Sequence, residues 1–240
     1  MPSSTKVERM TPRSAATRAK LIAVAERLFA AKGVEAVSLN EINRAAGQRN
    51  SNACQYHFGN KEGLIQALLD KHVLPIMAHR NELLDRLETQ STYDIREAVQ
   101  VFIRPVTAKL YDPDGGKEFI RINAQMLVPQ ALLLQRRTAN SLRLQVVDRL
   151  TRVLRQPLAQ LGLPHAIEYQ RLLLAALLLF HGLADHSQML DQVRQDDLAV
   201  DTDLFLNMLE DAIVDLLSQP PSATTLMRAR ALTSDSTAQS

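Results

Sequence analysis

The chain has 240 residues, of which 46% are hydrophobic and 22% charged, with one cysteine and a formal net charge of +2. That composition leaves room for a real core in one large or two small globular domains. A lone cysteine, Cys54, excludes an internal disulfide framework and a cysteine-rich metal centre. With no run of about 18 apolar residues and no apolar signal core near the start, a cytoplasmic protein without a membrane span is expected. The small net charge hides an asymmetry: residues 1–71 carry 11 Lys and Arg against 6 Asp and Glu, and residues 72–240 carry 17 against 20. A basic first part is the footprint of a surface that meets phosphates.

Residues 1–12 are polar and mildly basic (Lys6, Arg9) and read as a flexible arm. Thr11-Pro12 opens the first helix, with threonine as cap and proline at the first helical position. This helix runs to about Lys32, turns Leu21, Ile22, Ala25, Leu28 and Phe29 inward, and stops at Gly33. Ser38 and Glu41 have the spacing of a capping box, and Leu39, Ile42, Ala45 and Ala46 give the helix behind them one apolar face. Gly47 supplies the positive φ of a tight helix exit. The following segment is polar at its front, Arg49-Asn50-Ser51-Asn52, and apolar or aromatic at its back, Ala53, Cys54, Tyr56 and Phe58. A helix–turn–helix that reads DNA brings the N-terminal residues of its second helix to the base edges, and this segment has the matching polarity. A fourth helix begins with Asn60 as cap, buries Leu64, Ile65, Leu68 and Leu69, and is expected to kink or break at Pro75 before continuing through Leu83, Leu84 and Leu87.

Beyond that point the periodicity stays helical. Ile95, Val99, Phe102, Ile103 and Val106 mark one helix with a bend at Pro105; Asp112-Pro113-Asp114-Gly115-Gly116 is a break. Phe119, Ile120, Ile122, Asn123, Met126 and Leu127 form the next helix, expected to end near Pro129. Leu142 to Leu154 is amphipathic, with Arg143, Arg149, Arg152 and Arg155 on its polar side. His165 to Leu190 is the most apolar helix, and one apolar on every side needs neighbours on every side. A last helix spans about Thr202 to Leu217, and the Pro, Ser, Thr and Ala-rich residues from 219 onward read as a disordered tail.

Residues Thr17 to Leu69 resemble the DNA-binding domain of the tetracycline-repressor (TetR) family of bacterial transcription regulators. The likeness is carried by Phe29-Ala30-Ala31-Lys32-Gly33, then Ala36-Val37-Ser38-Leu39, Ile42, Ala45-Ala46-Gly47, and Tyr56-His57-Phe58 followed by Asn60-Lys61-Glu62 and Leu64. Ten residues separate Gly47 from Phe58 where most members have nine, so the turn or the first half of the recognition helix is one residue longer.

The candidate DNA contacts are Ser38, Arg49, Asn50, Ser51, Asn52, Gln55, Tyr56, His57 and Lys61. Arginine clamps guanine O6/N7 and Asn or Gln clamps adenine N6/N7, while hydroxyls suit phosphate oxygens. Lys61 matches the family's phosphate-contacting lysine, and His57 and Cys54 are expected mainly to pack. His72 and His79 lie two turns apart, but a domain contact is expected there rather than a metal; His181, Asp185 and His186 read as a polar spot in a packed interface. No phosphate loop, nucleophile elbow or zinc-protease motif is present, so no enzyme, cofactor or metal site is expected.

The expected architecture is all-α: an arm (1–12), a three-helix reader (13–71), a larger helical domain (72–218) and a tail (219–240). The resemblance implies a homodimer on a pseudo-palindromic operator, with a small effector in the larger domain; repression is the family's commoner habit. The apolar helix at 165–190 points independently to a dimer. Its expected interface is Leu173, Leu177, Phe180, His181, Ala184, Leu206, Leu209 and Ile213. The expected effector pocket is Phe102, Val106, Phe119, Ile122, Asn123, Met126, Leu127 and Phe180, whose composition suits a hydrophobic or amphipathic molecule. The alternative is a helical adaptor or scaffold whose helix–turn–helix no longer reads sequence.

Overall fold

The computed structural model describes residues 11–134, 149–192 and 201–237, and among these not the side chains of 127–134 and 232–237. The N-terminal arm up to Met10, the Leu127 side chain, Arg143 and the first part of the helix expected at Leu142 to Leu154 lie outside the described residues. The protein is all-α: 81% helical, with no strand among the described residues. Helix α1 covers Pro12–Lys32, α2 Leu39–Ala45, α3 Ala53–Phe58 and α4 Lys61–Glu88. Helix α5 covers Ile95–Thr107, α6 Gly116–Leu134, α7 residues 149–155, α8 His165–Gln192, α9 Thr202–Ser218 and α10 Ala223–Thr237.

The helix starts follow from side-chain oxygens that satisfy orphan amides. Thr11, Ser38, Asn60, Asp94 and Asp201 each accept from the amide three residues on. At Ser38 only half of the expected capping box forms. Ser38 Oγ accepts from the Glu41 amide at 3.2 Å, but the Glu41 carboxylate takes the Lys32 ammonium at 2.6 Å instead of answering back. That ion pair ties the end of α1 to α2. The reciprocal box forms elsewhere, between Asp94 and Glu97 at the head of α5.

Three expectations need correction. Pro75 does not divide α4, which continues to Glu88. Proline removes one amide from the ladder, and here the helix is held on both sides of it, by Leu64 and Leu68 before and by Ile76, Leu84 and Leu87 after. Helix α6 passes Pro129 and reaches Leu134. The tail is not wholly irregular: Ser222 Oγ accepts from the Thr225 amide at 3.2 Å and opens α10, which buries Ala229.

Two apolar cores organise these helices. The first gathers Leu21, Phe29, Ile42, Cys54, Leu64 and Leu68 from α1 to α4, with Ile122 of α6. Each such fully buried side chain contributes about 1.5–3 kcal/mol. The second joins the later half of α4 to α5, α6, α8 and α9 through Leu84, Val99, Ile103, Phe119, Leu179, Leu183 and Ile213. Helix α8 is long and apolar enough to cross a membrane by length and composition, with mean hydropathy 1.3. In this fold it lies along α6 and α9. Arg121 of α6 donates to Ser187 Oγ at 2.8 Å and pairs with Asp191, while Lys117 reaches Asp191 at 2.8 Å.

A buried polar knot joins the two cores. Glu26 on α1 faces inward; its carboxylate takes His72 Nε2 at 2.8 Å and Lys71 Nζ at 3.0 Å, and Lys71 also reaches Asp114 at 2.8 Å. Glu26 and His72 side chains are 2% and 1% exposed. The His72 ring stacks on Phe119 of α6, with centroids 4.7 Å apart. Gly115 permits the approach: its φ is +82°, and a β-carbon there would overlap the Glu26 carboxylate. His72 therefore makes the domain contact that its sequence position suggests, while His79 lies exposed and apart from it.

Candidate nucleic-acid interface

Helix α2 leaves through Gly47 at φ +64°, a left-handed conformation that costs glycine nothing. The five residues that follow form the turn, and α3 begins only at Ala53. Arg49, Asn50, Ser51 and Asn52 belong to the turn rather than to the first half of a helix, which corrects the sequence expectation.

The turn is held from inside by Asn43, a buried residue of α2. Its side-chain amide donates to the Ser51 carbonyl, and its Oδ1 accepts from the Cys54 amide at 3.0 Å. Asn50 adds a local clasp, its Oδ1 accepting from the Asn52 amide at 2.9 Å. One buried side chain thus satisfies both a turn carbonyl and an α3 amide, fixing α3 against α2. Sequence reasoning missed Asn43; the available signal was an asparagine next to Ile42 on the inward side of a seven-residue helix. Glu26 was missed likewise, although it sits four residues after Ile22 and three before Phe29, on the apolar face of α1.

Arg49, Asn50, Ser51, Asn52, Gln55 and Tyr56 are all exposed, Tyr56 at 80%. Ser38 is exposed too, though its oxygen already caps α2. Lys61, half-buried at the start of α4, rests its ammonium on the Glu35 carbonyl at 3.3 Å and keeps donors to spare. His57 is half-buried, edge-on to Tyr56 at 5.1 Å and tilted against Phe58 at 6.1 Å. Burial first, and the nearby Arg18 cation second, hold its pKa below the ordinary 6.5, so the ring is neutral at physiological pH. Cys54 is fully buried and its thiol is pushed up to about 11 by burial, which suits a packing residue and not a nucleophile.

The pocket residues divide. Ile122 and Met126 pack into the core of α1 to α4, whereas Phe119, stacked on His72, belongs with Phe102, Val106 and Phe180 to the second core. Asn123 is buried and donates to the Phe119 carbonyl one turn back. The interface residues divide as well. Ala184, Leu209 and Ile213 are buried within the chain's own core, because α8 and α9 pack on each other there. Leu173, Leu177, Phe180 and Leu206 are half-buried and His181 is exposed. The large apolar residues that do face outward, among those described, include Tyr169, Leu174, Leu178 and Met189 on α8 and Leu204 and Met208 on α9. His186 is buried, stacked parallel on Phe205 at 4.0 Å and bonded to Thr202 Oγ1 at 3.1 Å, while Asp185 is exposed.

The profile of bacterial regulatory proteins of the tetR family matches residues 21–68, the helices just described. Over 64 residues the chain is 42% identical to the HTH-type transcriptional regulator TtgR and to the probable HTH-type transcriptional regulator ArpR, both of Pseudomonas putida. Each match covers 27% of this chain and 30% of the relative's length, so the chain spans under a third of these proteins. Among solved structures, that of the ketosteroid transcriptional regulator KstR2 of Mycobacterium tuberculosis aligns with a TM-score of 0.44 at 15% identity, over 88% of this chain and 97% of that one. The likeness of this chain to the bacterial regulatory proteins of the tetR family is thus carried by residues 21–68, within its first four helices.

Proposed function

We propose that the protein is a cytoplasmic, sequence-specific DNA-binding transcriptional regulator, most simply a repressor, which binds a pseudo-palindromic operator as a homodimer. In this reading residues 13–71 read DNA and residues 72–218 bind an effector and a second subunit. One observation carries it: a row of bidentate-capable polar side chains, Arg49, Asn50, Asn52 and Gln55, stands in solvent on a turn and helix locked from within by Asn43. Groups held rigidly and left exposed are what base-edge recognition needs. The basic balance of residues 1–71 supports the same reading.

A dimer is supported by the outward apolar stripe of α8 and α9, where Leu174, Leu178, Leu204 and Met208 are 38–63% exposed. Control by a small molecule is supported by the second core, which holds Phe102, Val106 and Phe180, and by Arg80 of α4, which reaches that core at Phe102. Arg80 donates to the Phe102 carbonyl at 3.1 Å, and its Nε is buried without a partner. Burial pushes the guanidinium down to about 10. An amphipathic effector with an acidic group would satisfy that cation. The Glu26, Lys71, His72 and Asp114 knot supplies the mechanical link by which such binding would shift the orientation of the reader.

The test uses a duplex selected from a random pool by the wild-type chain. Lys61→Ala should weaken binding to every sequence and lower the slope of log K against log salt by about 0.9, one phosphate contact. Gln55→Ala should instead relax the preference at one base pair by about 1–3 kcal/mol. Equal effects of both variants on all sequences would contradict a sequence-reading function.

A further inference from the structure

We infer that Arg18, on the first helix, is a further phosphate ligand of the DNA-bound protein, held ready by the ring of Phe58. The inference rests on the DNA-binding reading. The Arg18 guanidinium carbon lies 5.0 Å from the centroid of Phe58, the last residue of α3. Among the described residues no carboxylate pairs with Arg18, nor with Arg13, Lys20 or Arg27 of the same helix, whereas Lys32 at the helix end is paired with Glu41. A guanidinium is planar, and stacking on an aromatic face engages that face while leaving the in-plane N–H fork free. The fork is the part that recognises a phosphate oxygen pair.

Phe58 is itself anchored: it is half-buried and packs against the core of α1 to α4. Neighbouring Tyr56 and His57 continue the aromatic row, with Tyr56 reaching solvent. Arg18 therefore sits at the Phe58 end of that row, half-buried on the α3 side of α1. It lies at the C-terminal end of α3, away from the turn that faces base edges, so a backbone phosphate and not a base is its partner. His57 adds no charge of its own there, because it is neutral near pH 7. Immobilising a flexible side chain before binding reduces the entropy that complex formation must overcome. Solvation alone would not need this placement; a lysine or glutamine would cover the ring edge as well.

The experiment measures equilibrium binding of the full chain to its selected duplex at several salt concentrations, for wild type, Arg18→Ala and Arg18→Lys. Arg18→Ala should lower the salt slope by about 0.9 and weaken binding alike on cognate and unrelated duplexes, and Arg18→Lys should restore the slope but only part of the affinity. Melting temperature reports folding of each variant. An Arg18→Ala protein that is folded and keeps the wild-type slope would overturn the inference and leave the DNA-binding reading standing. A change of base preference in that variant would also overturn it, in favour of a base contact. If the wild-type chain binds no duplex, both fail together.

Discussion

Asn43 shows how much a single side chain can fix. It holds the Ser51 carbonyl and the Cys54 amide, so Asn43→Ala strands two backbone groups at the base of the turn. The expected loss is about 1–3 kcal/mol of stability, read as a lower melting temperature, with a larger fall in operator affinity than the melting shift alone implies. Unchanged affinity would mean that the turn does not need its clasp. A second residue-scale outcome concerns pH. Burial holds His57 and His186 below the ordinary 6.5, with Arg18 and Lys117 adding to the effect. A lowered pKa in the folded state means that protonation favours unfolding, so this stability is present above pH 6.5 and is lost as pH falls through the folded values. Thermal stability should therefore decline on acidification from pH 7, and less so in His186→Asn. An equal decline in both proteins would remove His186 from that role. The exposure of Arg49 and Gln55 was legible in the sequence because polarity marks it. Asn43 and Glu26 were not, because a polar residue in a short helix does not announce whether it faces solvent or a buried partner.

At the scale of elements, helix caps and glycine stops were the most legible features: Thr11, Asn60, Gly33 and Gly47 act as their chemistry dictates. Prolines were the least, since Pro75 and Pro129 lie inside helices whose neighbours outweigh the lost amide. The apolar helix at 165–190 was legible as buried, but not which of its faces the chain itself would cover. The structure settles that: Leu179 and Leu183 turn inward, and Leu174 and Leu178 turn out. Leu178→Glu, placed on the exposed stripe, should give a folded monomer by sedimentation, with operator binding strongly weakened. A stable dimer would move the interface elsewhere. The knot between α1, α4 and the turn before α6 is a third element-scale case. Glu26→Ala leaves the buried His72 without its carboxylate and Lys71 with Asp114 alone, and should cost about 1–3 kcal/mol, measured by denaturant unfolding. A change within error would mean that water replaces the pair.

For the whole molecule, α4 and α6 each enter both cores, α6 through Ile122 in the first and Phe119 in the second. The first half of α4 carries Leu64 and Leu68 into the reader, and the second carries Ile76, Leu84 and Leu87 into the larger domain. The all-α class and the helix–turn–helix were readable from periodicity and caps, whereas the grouping of Ile122 and Met126 with the reader was not, because it depends on how α6 lies across α1. The central claim is that two such readers recognise a symmetric DNA sequence. Selection of random duplex DNA by the purified protein, followed by sequencing, addresses it most directly. The account predicts an inverted repeat whose half-sites lie one or more helical turns apart. Recovery of no common sequence, with affinity collapsing in moderate salt, would contradict it.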